Sequence, residues 1–210
     1  DDHVDFYAER IIPRILSQEG PKAATADLNG DGLADLFIGG AKNKGSQIYL
    51  QTASGNFNPK PQMAFKPFES YEDVAAVFFD ADKDGDMDLL IGSGGNNRLS
   101  NRGELNHRLF LNDGKANFTH SADAFPVFEF NTGVMVPFDY DLDGDLDLFL
   151  VNHSNHTFNP YLNTTKIRAT PSMRFGNRLF RNERLGKDEQ RFTDVTLEAG
   201  IMAMFGDLEK

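Results

Sequence analysis

Apolar and polar positions follow a pattern that recurs three times along this chain. In each copy a short apolar segment leads into a nine-residue acidic loop, and a second apolar segment follows directly. The loops begin at Asp27, Asp80 and Asp139. Short apolar runs bounded by turn-forming residues are typical of β-strands rather than helices. Each acidic loop is therefore predicted to join two strands.

A second block recurs downstream of each loop. Its copies, Gln47–Gln51, Arg108–Asn112 and Arg178–Asn182, alternate in the manner of half-buried strands, and each is followed by a turn and an aromatic residue. This pattern predicts a β-hairpin, so one repeat holds about four strands. The loop starts are 53 and 59 residues apart, counted from 27 to 80 and from 80 to 139. Four-stranded units at this spacing predict the blades of a β-propeller.

We therefore predict an all-β fold of about three blades, each with about four antiparallel strands, in a single propeller region over residues 1–210. The repeats are placed at roughly 20–72, 73–131 and 132–199. Residues 200–210 are expected to begin a further repeat with an orphan strand. Three blades alone would expose sheet faces and strand edges. The sequence thus predicts a partial propeller, either a piece of a longer chain or one completed by neighbouring chains.

The acidic loops share the pattern Asp-x-[Asp/Asn]-x-Asp-Gly-x-x-Asp. Oxygens at positions one, three and five of a tight loop converge on one point, and glycine at position six permits the turn. A carbonyl at position seven and the aspartate at position nine complete the shell. Hard oxygen donors without nitrogen or sulfur favour Ca²⁺. An EF-hand is not expected, because its glutamate at position twelve is replaced by Ile38, Ile91 and Leu150.

These loops and hairpins resemble a known repeat family. The run from Asp27 to Gly40, together with a hairpin such as Leu109–Lys115, resembles the FG-GAP or VCBS repeat of integrin-α-like calcium β-propellers, and Arg191–Ile201 is similar to a stretch common in bacterial members. The resemblance implies about three Ca²⁺ ions, held at positions one, three, five, seven (by carbonyl) and nine. The implied ligands are Asp27, Asn29, Asp31, Leu33, Asp35, Asp80, Asp82, Asp84, Asp86, Asp88, Asp139, Asp141, Asp143, Asp145 and Asp147. Because Asn29 is neutral, the first loop is expected to bind most weakly.

Composition narrows the classes of partner. With 21 Lys and Arg against 32 Asp and Glu, the net charge is −11, which argues against nucleic acid and anionic membranes. No apolar run approaches the length of a membrane span. The chain has no cysteine, which excludes disulfides and a cysteine nucleophile. It starts at Asp1 rather than Met, which favours a processed or excised product.

The connection between loop and hairpin lengthens along the chain, and its third copy holds candidate ligand-binding side chains. They are His153, His156, Phe158 and Tyr161, a mixture suited to sugars or peptides, with an ordinary solvated loop as the alternative. Asn-x-Ser/Thr sites give four candidate glycosylation positions, Asn117, Asn152, Asn155 and Asn163. Ordinary Asn-rich loop chemistry is the alternative there.

No nucleophile elbow, phosphate-binding loop or paired acids outside the repeats stand out, so no catalytic residue and no enzyme is predicted. The sequence favours a secreted or cell-surface calcium-binding propeller module for adhesion or for binding a protein or glycan ligand, because such loops suit the Ca²⁺ levels outside cells. Two alternatives stay open. One is a self-assembling subunit, a fibre or ring, whose terminal strand completes a neighbouring copy. The other is a polysaccharide-active enzyme with its site in the insertion loops.

Overall fold

The computed structural model describes residues 21–41, 43–94, 106–127, 131–153, 176–186 and 189–201. Within these ranges the chain is almost entirely β-structure. The strands are β1 (Ala23–Ala26), β2 (Asp35–Ile38), β3 (Gln47–Gln51), β4 (Phe57–Lys60), β5 (Asp73–Phe79), β6 (Asp88–Ser93), β7 (Arg108–Asn112), β8 (Phe118–Ser121), β9 (Asn131–Phe138), β10 (Asp147–His153), β11 (Arg178–Gly186) and β12 (Glu189–Asp194). A short 3₁₀ helix, Met63–Phe68, lies between β4 and β5 and was not predicted from the sequence.

The strands form three four-stranded antiparallel sheets, and the order across each sheet is the order along the chain. Blade one consists of β1–β4, blade two of β5–β8 and blade three of β9–β12. Every neighbouring pair is antiparallel, and the end of the first strand faces the start of the second, as where Ala26 pairs with Asp35. Strands that pair with their neighbours in chain order form such antiparallel meanders. The predicted all-β fold with four-stranded blades is confirmed.

Two apolar cores lie between the blades. In the first, Phe37 and Ile48 of blade one pack against Phe110 of blade two, with Phe65 of the 3₁₀ helix inserted between the sheets. The rings of Phe65 and Phe110 meet edge to face, 4.8 Å between centroids. Aromatic pairs of this geometry add to the stabilisation from area burial. The helix therefore fills the space between blades one and two with the side chain of Phe65.

The second core joins blades two and three. Leu90 and Leu109 of blade two pack there with Leu148 and Phe180 of blade three. Because side chains alternate across a strand, β6 sends Leu89 towards blade one and its neighbour Leu90 towards blade three, and the whole strand is buried. Blade two is thus covered on both faces, which explains why its central strand is apolar without a polar face.

The outer face of blade three carries an exposed apolar surface. Val134 and Val136 of β9 and Val151 of β10 lie on it, with 51%, 41% and 37% of their surfaces exposed. The cross-strand pair Val134 and Val151 lies on this face. The predicted orphan strand lies outside the described residues from position 202 onward. Within the described ranges, no helix has the length and apolar character needed to cross a membrane.

Candidate metal centres

Three acidic loops join the first strand of each blade to its second. Loop one spans residues 27–35, loop two 80–88 and loop three 139–147. Positions four and six of every loop have positive φ: Gly30 and Gly32, Lys83 and Gly85, Leu142 and Gly144. Glycine at position six was predicted, but the left-handed backbone at position four was not. Lys83 and Leu142 adopt it at φ 64° despite their side chains, a conformation that costs non-glycine residues free energy.

The aspartate at position one accepts hydrogen bonds from backbone amides of its own loop. Asp27 accepts from Gly30 through Oδ1 and from Gly32 through Oδ2, each at 2.8 Å. Asp80 and Asp139 accept the equivalent bond from the glycine at position six, at 3.0 and 3.1 Å. Desolvation raises the pKa of Asp27, but the amide bonds, led by that from Gly32, outweigh it and lower the pKa below its ordinary value. The loop backbone therefore stabilises a charged carboxylate at this position.

The aspartate at position nine is fully buried in all three loops, and both of its oxygens accept backbone hydrogen bonds. The three residues are Asp35, Asp88 and Asp147. One oxygen of each accepts from position two of the same loop, at 3.0, 2.8 and 2.9 Å. The other accepts from the last residue of the recurring five-residue block on the third strand of the blade, Gln51, Asn112 or Asn182, at 2.8 Å in every case. This aspartate thus ties the loop to the hairpin that follows it.

Carboxylate oxygens converge in loops two and three. In loop two, Asp80, Asp82 and Asp88 each offer an oxygen, and these atoms lie within 4.8 Å of one another. Asp139, Asp141 and Asp147 do the same in loop three. Positions one, three and nine are therefore brought together in both loops, with a donor set of oxygen alone. Such a set fits a hard divalent cation.

The remaining predicted ligands lie around these clusters. At position five, Asp31, Asp84 and Asp143 each accept from the amide at position seven, at 2.8, 2.9 and 3.0 Å. The carboxylate of Asp86 lies against Gly114 of the β7–β8 turn, since a Cβ added at Gly114 would be 2.6 Å from Asp86 Oδ2. In loop one, Asn29 donates to Asp31 at 3.1 Å, so its amide group engages a carboxylate. The ligand roles at all five positions stay predictions.

Burial, with a smaller contribution from neighbouring carboxylates, raises the pKa of several aspartates in these loops. Burial, supported by the charge of Asp84, raises the pKa of Asp82 to about 6. Burial raises the pKa of Asp88 to about 7, even though the amides of Asn112 and Ala81 work in the opposite direction. Burial and the neighbouring Asp143 raise the pKa of Asp145 to about 6. A bound divalent cation would relieve this repulsion, because it favours the charged form of every surrounding carboxylate.

Lys83 of loop two reaches loop three. Its Nζ is 3.1 Å from the place where a Cβ on Gly144 would lie, and its charge lowers the pKa of Asp145 against the larger effect of burial. Position four of loop one is Gly30, which has no such side chain. The contact places the positively charged Lys83 side chain beside the carboxylate cluster of loop three. This charge distinguishes loop three from the other two loops.

A buried ion pair that sequence reasoning missed fastens blade one to blade two. Asp73, at the start of β5, accepts from the amide of Gly40 and the hydroxyl of Ser46, both at 2.6 Å and both in blade one. Its other oxygen binds the guanidinium of Arg108, which also lies 4.8 Å from the ring centroid of Tyr71. The available signal was an arginine at the head of a hairpin block, a position where repeat one has glutamine.

The candidate glycosylation and ligand residues fall in different places. Asn117 is exposed in the β7–β8 turn, where its Nδ2 donates to Asp113 at 2.8 Å. Asn152 lies in β10, half-buried, and its Nδ2 donates to the carbonyl of Gly176 at 2.9 Å. His153 is the last residue of β10. The other candidates, Asn155, Asn163, His156, Phe158 and Tyr161, lie outside the described residues.

Comparison with known families agrees with the geometry. The family model described as FG-GAP-like repeat matches residues 27–91, from the start of loop one into β6. The resemblance to the FG-GAP/VCBS repeat family is thus confirmed, and the chain carries a repeat of that family over these residues. No curated protein gives a significant match to the chain.

Proposed function

We propose that this FG-GAP-repeat chain is a calcium-binding β-propeller module, secreted or at the cell surface, that binds a protein or glycan ligand or mediates adhesion without catalysing a reaction. The observation that carries the calcium part is the convergence of three carboxylates in each of loops two and three. Their oxygen-only donor sets and the raised pKa of Asp88 support a cation site that is electrostatically incomplete without its ion. The extracellular part rests on the Ca²⁺ concentrations at which such loops fill.

The direct test is a calorimetric titration with Ca²⁺ and with Mg²⁺, on protein freed of metal by EGTA. We expect about three Ca²⁺ per chain, with loop one filling last because Asn29 is neutral, and much weaker binding of Mg²⁺. Asp141→Ala should remove one site, since Asp141 belongs to the cluster of loop three. Asp123→Ala makes the same change of charge at an exposed position outside the loops and should leave all sites intact. Parent protein that takes up no Ca²⁺ would rule the proposal out.

A second candidate, a self-assembling structural subunit, is favoured by the exposed apolar surface of blade three. Val134, Val136 and Val151 form it, together with Phe138, 39% of which is exposed. Apolar surface on one sheet face can be buried against another copy of the chain. Sedimentation in millimolar Ca²⁺ and again in EGTA separates the two roles. A calcium-dependent assembly supports the structural role, whereas a monomer that melts on chelation supports the binding module.

A further inference from the structure

The three acidic loops are connected to one another through the blade junctions by side chains that the metal-site pattern does not include. Asn112 and Asn182 are the last residues of the recurring Arg-x-x-x-Asn block in blades two and three, and both are buried. Each uses its backbone amide within its own blade. Its side-chain amide donates both to a carbonyl of the acidic loop of its own blade, Met87 or Leu146, and to a carbonyl across the junction. This double use makes them bridges between neighbouring loops.

At the first junction, the bridge runs from loop one to loop two. The amide of Leu28 donates to Asp35 of loop one at 3.0 Å, and the carbonyl of Leu28 accepts from Asn112 Nδ2 at 3.0 Å. The backbone amide of Asn112 then donates to Oδ1 of Asp88, the buried aspartate of loop two, at 2.8 Å. The same Leu28 carbonyl also accepts from Ala116 at 2.9 Å, which fixes its position.

At the second junction, the arrangement repeats between loops two and three. Oδ2 of Asp88 accepts from the amide of Ala81 at 2.8 Å, and the carbonyl of Ala81 accepts from Asn182 Nδ2 at 2.9 Å. The backbone amide of Asn182 donates to Asp147 of loop three at 2.8 Å. A continuous series of hydrogen bonds, connected through the covalent bonds of single residues, therefore joins the buried aspartates of all three loops.

We propose that Asn112 and Asn182 are positioning residues that couple ion binding in neighbouring loops, so that occupancy of one loop favours occupancy of the next. This inference rests on the proposed calcium function. Each loop has two states, one in which its carboxylates repel one another and one in which an ion draws them together. The aspartate at position nine belongs both to this two-state cluster and to the hydrogen-bonded series, so a shift in one loop biases its neighbour.

Blade one offers a matched control. Gln51 occupies the place of Asn112 in the first repeat, and its backbone amide donates to Asp35 at 2.8 Å, as that of Asn112 does to Asp88. Among the described residues no blade lies on the other side of Gln51 for its side chain to bridge. Gln51→Ala therefore removes an amide at the same strand position without cutting a link between loops.

The test is a double-mutant cycle on metal-free full-length chain titrated calorimetrically with Ca²⁺. In a background with loop one disabled by Asp31→Ala, loss of loop three through Asp141→Ala should weaken Ca²⁺ binding at loop two by about fivefold or more. With Asn182→Ala added, the loss of loop three should leave the affinity of loop two unchanged, whereas with Gln51→Ala the fivefold effect should persist. Asn182→Gln keeps the donor amide and should restore coupling, and Asn182→Leu replaces the alanine variant if that variant does not fold.

The outcomes separate this inference from the function on which it rests. If the parent binds Ca²⁺ but its loops are independent, or if coupling survives Asn182→Ala, the bridging role is overturned and the calcium function stands. If the parent binds no Ca²⁺, both are overturned. A merely structural role for Asn182 would lower stability and leave the interaction between the loops in the cycle unchanged.

Discussion

The stability of the metal-free protein should fall as the pH rises from about 4 to about 7, and Ca²⁺ should reverse this fall. Burial raises the pKa of Asp88 to about 7 from 3.8, so between these values the folded state holds a proton that the unfolded state has lost. A group whose pKa is higher in the folded than in the unfolded state stabilises the folded protein at low pH. This stabilisation is lost as the pH rises through the folded-state pKa. At 1.36 kcal/mol per pKa unit, Asp88 alone accounts for on the order of 4 kcal/mol. Asp82 and Asp145 act in the same direction.

The assay is urea denaturation followed by far-UV circular dichroism, since the chain has no tryptophan. Measurements in EGTA and in millimolar Ca²⁺ across this pH range give the stabilisation due to calcium at each pH. It should grow with pH, because Ca²⁺ binding requires the charged form of Asp88 and displaces its proton. Asp27, whose pKa is lowered, contributes only below about pH 4 and does not oppose the trend. Stability in EGTA that stays level or rises with pH would refute the reasoning.

Three further predictions concern single side chains. Asn29→Asp should tighten Ca²⁺ binding at loop one, and Asp82→Asn should weaken it at loop two, each by about tenfold, because the number of carboxylates tunes the affinity of such sites. Calorimetry measures both affinities, and values unchanged by the substitutions would contradict this prediction. Arg108→Met leaves the buried Asp73 uncompensated and should cost about 3–5 kcal/mol in urea denaturation. Adding Asp73→Asn should recover part of that cost, whereas additive losses would argue against the pair. Lys83→Gln removes a cation beside loop three and should tighten Ca²⁺ binding there by about threefold at low ionic strength, with the effect lost in high salt. An unchanged Ca²⁺ affinity at low ionic strength would show that the Lys83 ammonium does not lie beside loop three in solution.

The strands and the loop clusters were predictable because both are encoded locally. Alternation in Gln47–Gln51 and its later copies identifies the hairpin strands, and the acidic pattern places Asp80, Asp82 and Asp88 on one turn. Repetition made the inference stronger, because three copies in the same strand register agree with one another. Residues within nine positions of each other can be placed by backbone geometry alone.

Features that depend on contacts between blades could not be predicted from local sequence patterns. Asp73 and Arg108 are 35 positions apart on β5 and β7 of blade two, and Asp73 bonds Gly40 and Ser46 only once blade one has packed beside it. Asn182 reaches Ala81 across 101 positions, although its place in the hairpin block was evident. Phe65 fills the first core from a 3₁₀ helix with Pro67 inside it, a segment whose pattern resembles an irregular connection. Each of these roles is set by what a neighbouring blade presents, and no local pattern contains that information.

The topology places the acidic loops and the strand residues that flank the long connections at opposite ends of the blades. In an antiparallel meander the first and third connections of a blade lie at one end of its strands, and the second connection lies at the other end. The acidic loops are first connections, whereas the long connections leave the sheets after Ser93 and His153 and re-enter before Arg108 and Arg178. The six residues of β6 span about 20 Å between these two ends. The acidic loop of blade two therefore lies at the opposite end of its sheet from Ser93 and Arg108, the strand residues that flank the long connection of that blade.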